Sequence, residues 1–229
     1  GKPGPDPVRN KDHPWGIPHL KFEWMKKAAD TGNTFIHFAI RTITTCQSCK
    51  RRGFRVMTLL EHPEDLGRSQ TGVPASIWQL KELRSAYAEF PFVSVAGHQC
   101  QFDLDAAKPT RLFSDIVSLV AFGYGGWPRF DESSRYLGPL PRHCGHNHNL
   151  QTIGQLPGGG HATAPLACYP DKMCSFIAFH IFEDWKTNGS GSRTLPGGRV
   201  ISSSSSQGTT STTTDTSSGR KRVISTSRN

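Results

Sequence analysis

An acid and a histidine follow directly after a short apolar segment in the first third of the chain. Residues 56–60 are Val-Met-Thr-Leu-Leu, and Glu61, His62 and Pro63 come next. Proline has no backbone N–H to give to a sheet, so the pattern predicts a strand that stops at Pro63. Open α/β enzymes hold their working groups just beyond the carboxyl ends of parallel strands. Glu61 and His62 are therefore predicted as catalytic residues; the alternative is an ordinary surface turn.

Two groups of Cys and His residues have the spacing that metal sites use. Cys46 and Cys49 form a CxxC pair, and Cys144, His146 and His148 lie within five residues of one another. Zinc takes four Cys or His ligands in a tetrahedron, so the CxxC pair and a CxH pair from the second group would together supply a full ligand set. The chain has no second CxxC pair. The alternative, cysteines that sit in the core or at the surface without a metal, stays open.

The elements that must position these residues alternate between helical and extended patterns. Apolar periodicity predicts helices over residues 20–29, 34–49, 75–83 and 172–184, and strands over residues 55–60, 90–98 and 111–114. Residues 31–33, Thr-Gly-Asn, separate the first two helices, and Gly53 separates the second from the strand. Helix followed by strand indicates an α/β core with a parallel sheet.

Composition divides the chain into five segments. We predict a Pro/Gly-rich leader over residues 1–19 and a partial α/β core over residues 20–121. An irregular Gly/Pro/Arg-rich insert follows over residues 122–162, and a closing turn with its helix over residues 163–186. The last segment, residues 187–229, is predicted to be a disordered Ser/Thr-rich basic tail. The tail has too few apolar residues to offset the entropy of ordering it. The first residue is Gly1 rather than Met, and we expect the chain to be part of a longer protein.

Charge and cysteine content indicate the partners and the compartment. The formal net charge is +9, of which residues 187–229 contribute six Lys or Arg and one Asp. A basic chain suits a polyanion such as DNA. In the tail, Arg220, Lys221 and Arg222 form either a nuclear-localisation or nucleic-acid patch or a solvated cluster. Six cysteines are too few for a disulfide scaffold, which favours an intracellular, reducing compartment. No apolar segment approaches the roughly 20 residues of a membrane span, so no membrane partner is expected.

Several short segments occur in an order that one enzyme family shares. They are Asp6-Pro-Val-Arg9, Leu59-Leu-Glu61-His-Pro63, Gln99-Cys-Gln101-Phe102, Lys108-Pro-Thr110-Arg-Leu112 and Ala164-Pro-Leu-Ala-Cys-Tyr169-Pro170. Over residues 5–183 this order resembles the C-terminal part of a cytosine-5 DNA methyltransferase. The motifs Pro14-Trp-Gly-Ile-Pro18 and Cys144-Gly-His-Asn-His148 resemble those of divergent copies carried in mobile-element open reading frames.

The resemblance implies a truncated class I methyltransferase fold, that is, part of a doubly wound parallel sheet. It implies that Glu61 donates a proton towards N3 of a flipped cytosine, with His62 where the family has Asn. Residues 122–162 would be the target-recognition region. The residues that would line the DNA cleft are Arg68, Trp78, Gln99, Lys108 and Arg111, with Arg220, Lys221 and Arg222 as further DNA contacts.

Two departures from the family pattern limit what the chain would do alone. It has no Pro-Cys nucleophile, and it lacks the Phe-x-Gly-x-Gly element that holds S-adenosylmethionine. An upstream half of the same polyprotein would have to supply both, so the isolated chain is predicted to be inactive and not to bind the cofactor. The alternatives are a degenerate nucleic-acid-binding protein of a mobile element and a zinc-stabilised interaction module.

Overall fold

The computed structural model describes residues 6–64, 75–88, 91–133, 135–150 and 164–187. All of these described residues belong to one compact unit. The Ser/Thr-rich tail predicted over residues 187–229 lies outside the described residues beyond Thr187, and so do Arg68, Arg220, Lys221 and Arg222. None of the described helices combines the length and apolar character that a membrane span requires.

The first helix, α1, is one continuous element, Glu23–Arg51. The two helices predicted over residues 20–29 and 34–49 are joined across Gly32, so the break predicted there is wrong. Arg9 explains the glycine: its guanidinium donates to Ala29 O and, at 2.9 Å, to Asn33 Oδ1. A Cβ on residue 32 would lie 2.6 Å from Arg9 Nη2. Gly32 therefore leaves room for the Arg9 side chain, and it does not end the helix.

The main sheet has four strands in the order β1-β3-β2-β4. Their bounds are Leu59–Pro63 for β1, Val93–His98 for β2, Pro109–Ser114 for β3 and Tyr124–Gly125 for β4. Every pair in this sheet is antiparallel, with Glu61 opposite Leu112 and Leu112 opposite Val95. A smaller antiparallel pair joins β5, Arg129–Phe130, to β6, Tyr136–Gly138.

The predicted mixture of helices and a sheet is confirmed, but the predicted parallel, doubly wound order is not found among the described strands. The physical reason is the short link between β2 and β3, residues 99–108. A parallel neighbour needs a crossover of a dozen or more residues, usually a helix, and this link holds only the 3₁₀ turn Gln99–Phe102. The chain therefore returns antiparallel to itself.

Two apolar layers cover the two faces of the sheet. On one face Phe113 packs with Ile43 of α1 and Leu83 of the short helix α2, Lys81–Ala86. On the other face Leu112 packs with Phe122 and with Met173 of α3, Asp171–Thr187. Because adjacent strand residues point to opposite faces, neighbouring residues of β3 serve both layers. The predicted closing helix over residues 172–184 is thus confirmed. The helix predicted over 75–83 is instead the 3₁₀ turn Ile77–Gln79 followed by α2.

Candidate metal centre

A loop after β6 returns to the end of β2 and is fastened there. His98, the last residue of β2, lies with its Nε2 3.0 Å from Pro141 O, to which it donates. At the far end of the loop, the backbone N–H of Asn149 donates to Asp105 Oδ1 at 3.0 Å, and that of Leu150 donates to Asp105 O at 3.2 Å. The segment between these ties contains Cys144, His146 and His148, and it lies over Cys100.

Four soft or borderline donor atoms meet in this corner. The sulfurs of Cys100 and Cys144 and a ring nitrogen each of His146 and His148 all lie within 4.8 Å of one another. Cys144 Sγ is 3.0 Å from His148 Nε2, and Cys100 Sγ is 3.3 Å from His146 Nδ1. Donors in a tetrahedral Cys₂His₂ zinc site are about 3.3–3.8 Å apart, from Zn–S and Zn–N bonds of about 2.3 and 2.0–2.1 Å. The two sulfur–nitrogen distances are within a few tenths of an ångström of that range.

The backbone of the loop explains the alternating Cys-x-His-x-His spacing. Residue 145, between the first two donors, is a glycine with φ +79°, in the left-handed region that glycine adopts without strain. Its reversal lets Cys144 and His146 approach the same point although they are only two residues apart. Cys100 arrives separately, on the 3₁₀ turn that follows β2.

The two thiols differ in acidity before any metal binds. Burial, followed by a hydrogen bond with Cys144, raises the pKa of Cys100 to about 11. For Cys144 burial also acts to raise the pKa, but the hydrogen bond with His148 and the contacts with His146 O and Cys100 outweigh it. The pKa of Cys144 is therefore lowered. Cys144 is the first thiolate to form, and a metal would have to displace the proton from Cys100.

His98 stands beside the four donors without joining them. Burial lowers its pKa; the hydrogen bond with Pro141 opposes this shift, and the nearby histidines add to it. Its Nδ1 is buried and has no hydrogen-bond partner within the described parts of the chain. A neutral His98 adds no positive charge next to a cation held by the four donors.

The predicted metal ligands are only partly those that the structure brings together. Cys144, His146 and His148 converge as expected, but Cys46 and Cys49 lie on α1 and are not part of the described cluster. The fourth donor, Cys100, was missed because it stands alone between two glutamines and has no CxxC partner. A weak signal was available in the His98-x-Cys100 spacing, which repeats the alternation of the second group.

Glu61 and His62 lie inside β1 rather than beyond its end. Adjacent strand residues point to opposite faces, so these two side chains diverge. Glu61 Oε2 accepts a hydrogen bond from Tyr169 Oη at 2.5 Å, and His62 Nδ1 lies 3.0 Å from Pro63 O. Burial, then the bond to Glu61, raises the pKa of the Tyr169 phenol. Glu61 and His62 both border a cavity of about 490 Å³ beneath α1, but their side chains point to opposite faces of the sheet.

Three of the residues predicted to contact nucleic acid lie in the interior. Trp78, Gln99 and Arg111 have no exposed surface. Arg111 forms a fork with Glu64, with two hydrogen bonds of 2.6 Å, and both side chains are fully buried. These three residues are therefore not available to DNA, which corrects the prediction. Lys108 is half-buried; it donates to Leu166 O at 2.8 Å and lies 5.0 Å from the centre of the Tyr169 ring.

No family model, curated protein or solved structure matches the chain. The methyltransferase resemblance accordingly stays a prediction, and the function has to be argued from the geometry.

Proposed function

We propose that this chain is a nucleic-acid-binding module in which a structural zinc ion holds the loop of residues 141–150 against the sheet. The observation that carries the proposal is the meeting of four donor atoms, from Cys100, Cys144, His146 and His148, within 4.8 Å of one another. Two thiolates and two imidazoles suit zinc better than they suit the hard cations, which take oxygen ligands.

A structural role follows from the number of ligands. Catalytic zinc sites keep one position for water or substrate, whereas four protein ligands close the coordination sphere. The loop needs such an anchor because it has almost no apolar content of its own. Within residues 141–150 only Cys144, His148 and Leu150 are even partly buried. Zinc binding would supply the free energy that orders the loop, in place of a hydrophobic core.

Nucleic acid is the partner that the charge supports. The net charge of +9 on 229 residues gives a positive potential that attracts a polyanion.

Methyl transfer has less support from the geometry. The sheet lacks the parallel order that the family resemblance implies, and the Glu61 carboxylate is already bonded to Tyr169. A binding role needs neither a nucleophile nor a cofactor loop.

The ligand set is tested by metal analysis of matched cysteine variants of the full chain. We expect one zinc per purified wild-type chain, retention of that zinc in Cys46→Ser and Cys49→Ser, and its loss in Cys100→Ser and Cys144→Ser. Chelation should lower the thermal midpoint of the wild type but not that of Cys100→Ser. Zinc lost from Cys49→Ser and kept in Cys100→Ser would restore the ligand set predicted from sequence. A wild-type chain without zinc would overturn the proposal.

A further inference from the structure

Two helix ends carry basic and aromatic side chains in alternation on the surface. At the end of α1 these are Arg52, Phe54 and Arg55, and at the end of α3 they are Phe182, Trp185 and Lys186. We call these six residues the basic–aromatic patch. The three rings are 54, 56 and 44% exposed, respectively, so their faces are accessible to a partner.

The cations of the patch lie over its rings. The Arg55 guanidinium is 3.5 Å from the centre of the Trp185 ring, and it connects the two helix ends. Arg52 lies 5.1 Å from the centre of the Phe54 ring, and Lys186 lies 4.2 Å from the centre of the Phe182 ring. Guanidinium–aromatic stacking orients the ring faces and leaves N–H donors directed towards solvent.

The nearby acids are paired or buried: Asp115 contacts Lys50 and Thr58 on either side of residues 52–55, and Glu183 and Asp184 directly precede Trp185. Asp115 forms an ion pair with Lys50 and accepts from Thr58. Glu183 pairs with Lys186 at 3.2 Å, and Asp184 is buried. The described surroundings of the patch therefore leave the positive charge of Arg52 and Arg55 largely uncompensated.

We propose that the basic–aromatic patch binds single-stranded nucleic acid, with bases stacked on Phe54 and Trp185 and phosphates held by Arg52 and Arg55. Sequence-tolerant binding of single strands uses this combination of a cationic track and exposed rings. A duplex would not offer its base faces to the rings. The inference rests on the proposed nucleic-acid-binding function and assigns that function a surface separate from the metal cluster.

An anionic membrane is the other class of partner that basic and aromatic residues can meet. The arrangement favours nucleic acid because cations and rings alternate across two different elements. A membrane-surface helix would instead carry its apolar face and its cations on a single element.

Fluorescence anisotropy with a dye-labelled single-stranded oligonucleotide of about twenty nucleotides, several binding sites long, tests the patch. We expect Arg55→Ala with Trp185→Ala in the full chain to weaken binding roughly tenfold to hundredfold, the usual effect of removing a stacking ring. Trp185→Phe, which keeps an aromatic ring, should stay near the wild type. The matched control is Phe38→Ala with Arg41→Ala, an exposed ring and an exposed arginine elsewhere on α1.

The outcomes separate this inference from the proposed function. If the wild type binds and the patch variant binds equally well, or if Trp185→Phe is as weak as Trp185→Ala, the patch is not the stacking surface although the module still binds nucleic acid. If the wild type binds no nucleic acid at all, the proposed function itself fails. Patch-dependent binding to anionic lipid vesicles without binding to the oligonucleotide would assign the surface to membranes and overturn the inference. Zinc content and circular dichroism of each variant show whether it is folded.

Discussion

Arg111 carries the most heavily bonded buried charge among the described residues. Besides its fork with Glu64, its Nη1 donates to Gly126 O at 2.7 Å and to Ser94 Oγ at 2.5 Å. Tyr136 extends the network, since burial, followed by a hydrogen bond with Glu64, raises the pKa of its phenol. The guanidinium thereby connects β3, β2 and the segment that follows β4. A charge without exposed surface is tolerated only when its donors are satisfied in this way.

Removing this guanidinium should destabilise the protein strongly. Arg111→Met would leave the Glu64 carboxylate buried without its partner, and breaking a buried pair in this way costs about 3–5 kcal/mol. Urea denaturation measures the loss as a fall in the free energy of unfolding. The control is Lys172→Met, which breaks the ion pair with Asp103; there both side chains are about two-thirds exposed, and the expected change is at most about 1 kcal/mol. Equal effects of the two substitutions would mean that Arg111 is solvated.

At the scale of elements, the backbone at residue 123 lies so close to strand β2 that there is no room for a side chain. Gly123 ends the 3₁₀ segment Val117–Phe122, just before β4. A Cβ built on Gly123 would come closer than 3.0 Å to Ala96 O, a backbone atom that the β2–β3 ladder holds in place. The glycine is therefore required by close approach rather than by its φ angle.

Gly123→Ala should lower the thermal midpoint by several degrees. Inserting a methyl group against fixed backbone costs about 1–3 kcal/mol, and in a chain of this size each 1 kcal/mol corresponds to about 2–4 °C. Scanning calorimetry measures the shift. Gly125→Ala is the matched control, because a Cβ on that residue meets nothing within 4 Å and its thermal midpoint should stay near that of the wild type. A normal midpoint for Gly123→Ala would show that β2 and residue 123 are further apart than described.

The elements also show which features local sequence determines. The apolar periodicity of residues 172–184 is a property of one segment, and it correctly predicted α3. Strand direction is not such a property: the apolar residues of β2 and β3 fit a parallel or an antiparallel partner equally well, and the short link between them decides. Gly32 makes room for Arg9, which lies far from it in sequence, and does not end α1. Local patterns therefore predicted a helical break at a glycine whose reason is a distant side chain.

The candidate metal centre shows the same division. Three of its donors lie within five residues, so the sequence alone predicts that they act together. The remaining ligands were expected from the CxxC pair because that pair has the usual spacing, whereas Cys100 is placed at the site by the 3₁₀ turn that follows β2. For the buried side chains the error was one of burial. Arginine and tryptophan are common in DNA clefts, but in this fold Arg111 and Trp78 are buried in the interior.

For the whole molecule, positive charge is divided between the folded unit and the C-terminal segment. Residues 188–229 hold six Lys or Arg and one Asp, and by composition we predict that they remain disordered. A disordered segment of this charge would attract nucleic acid electrostatically without adding stability to the fold. In the proposed binding mode, the rings of the basic–aromatic patch would add affinity that depends little on salt, so ionic strength would separate the two contributions.

Truncation after Thr187, the last residue of α3, should separate them. We expect the thermal midpoint to stay within error and the salt dependence of oligonucleotide binding to become shallower. Each phosphate contact to a single strand contributes about 0.7 to the slope of log K against log salt, so loss of six cations lowers the slope by up to about four. Arg55→Ala in the full chain should lower this salt slope by only about one, and Trp185→Ala should weaken binding without changing the slope.

A fall of several degrees in the thermal midpoint of the truncated chain would mean that residues 188–229 dock on the folded unit. An unchanged slope would mean that their cations do not reach the nucleic acid, because counterions released by a bound cation must appear in the salt dependence.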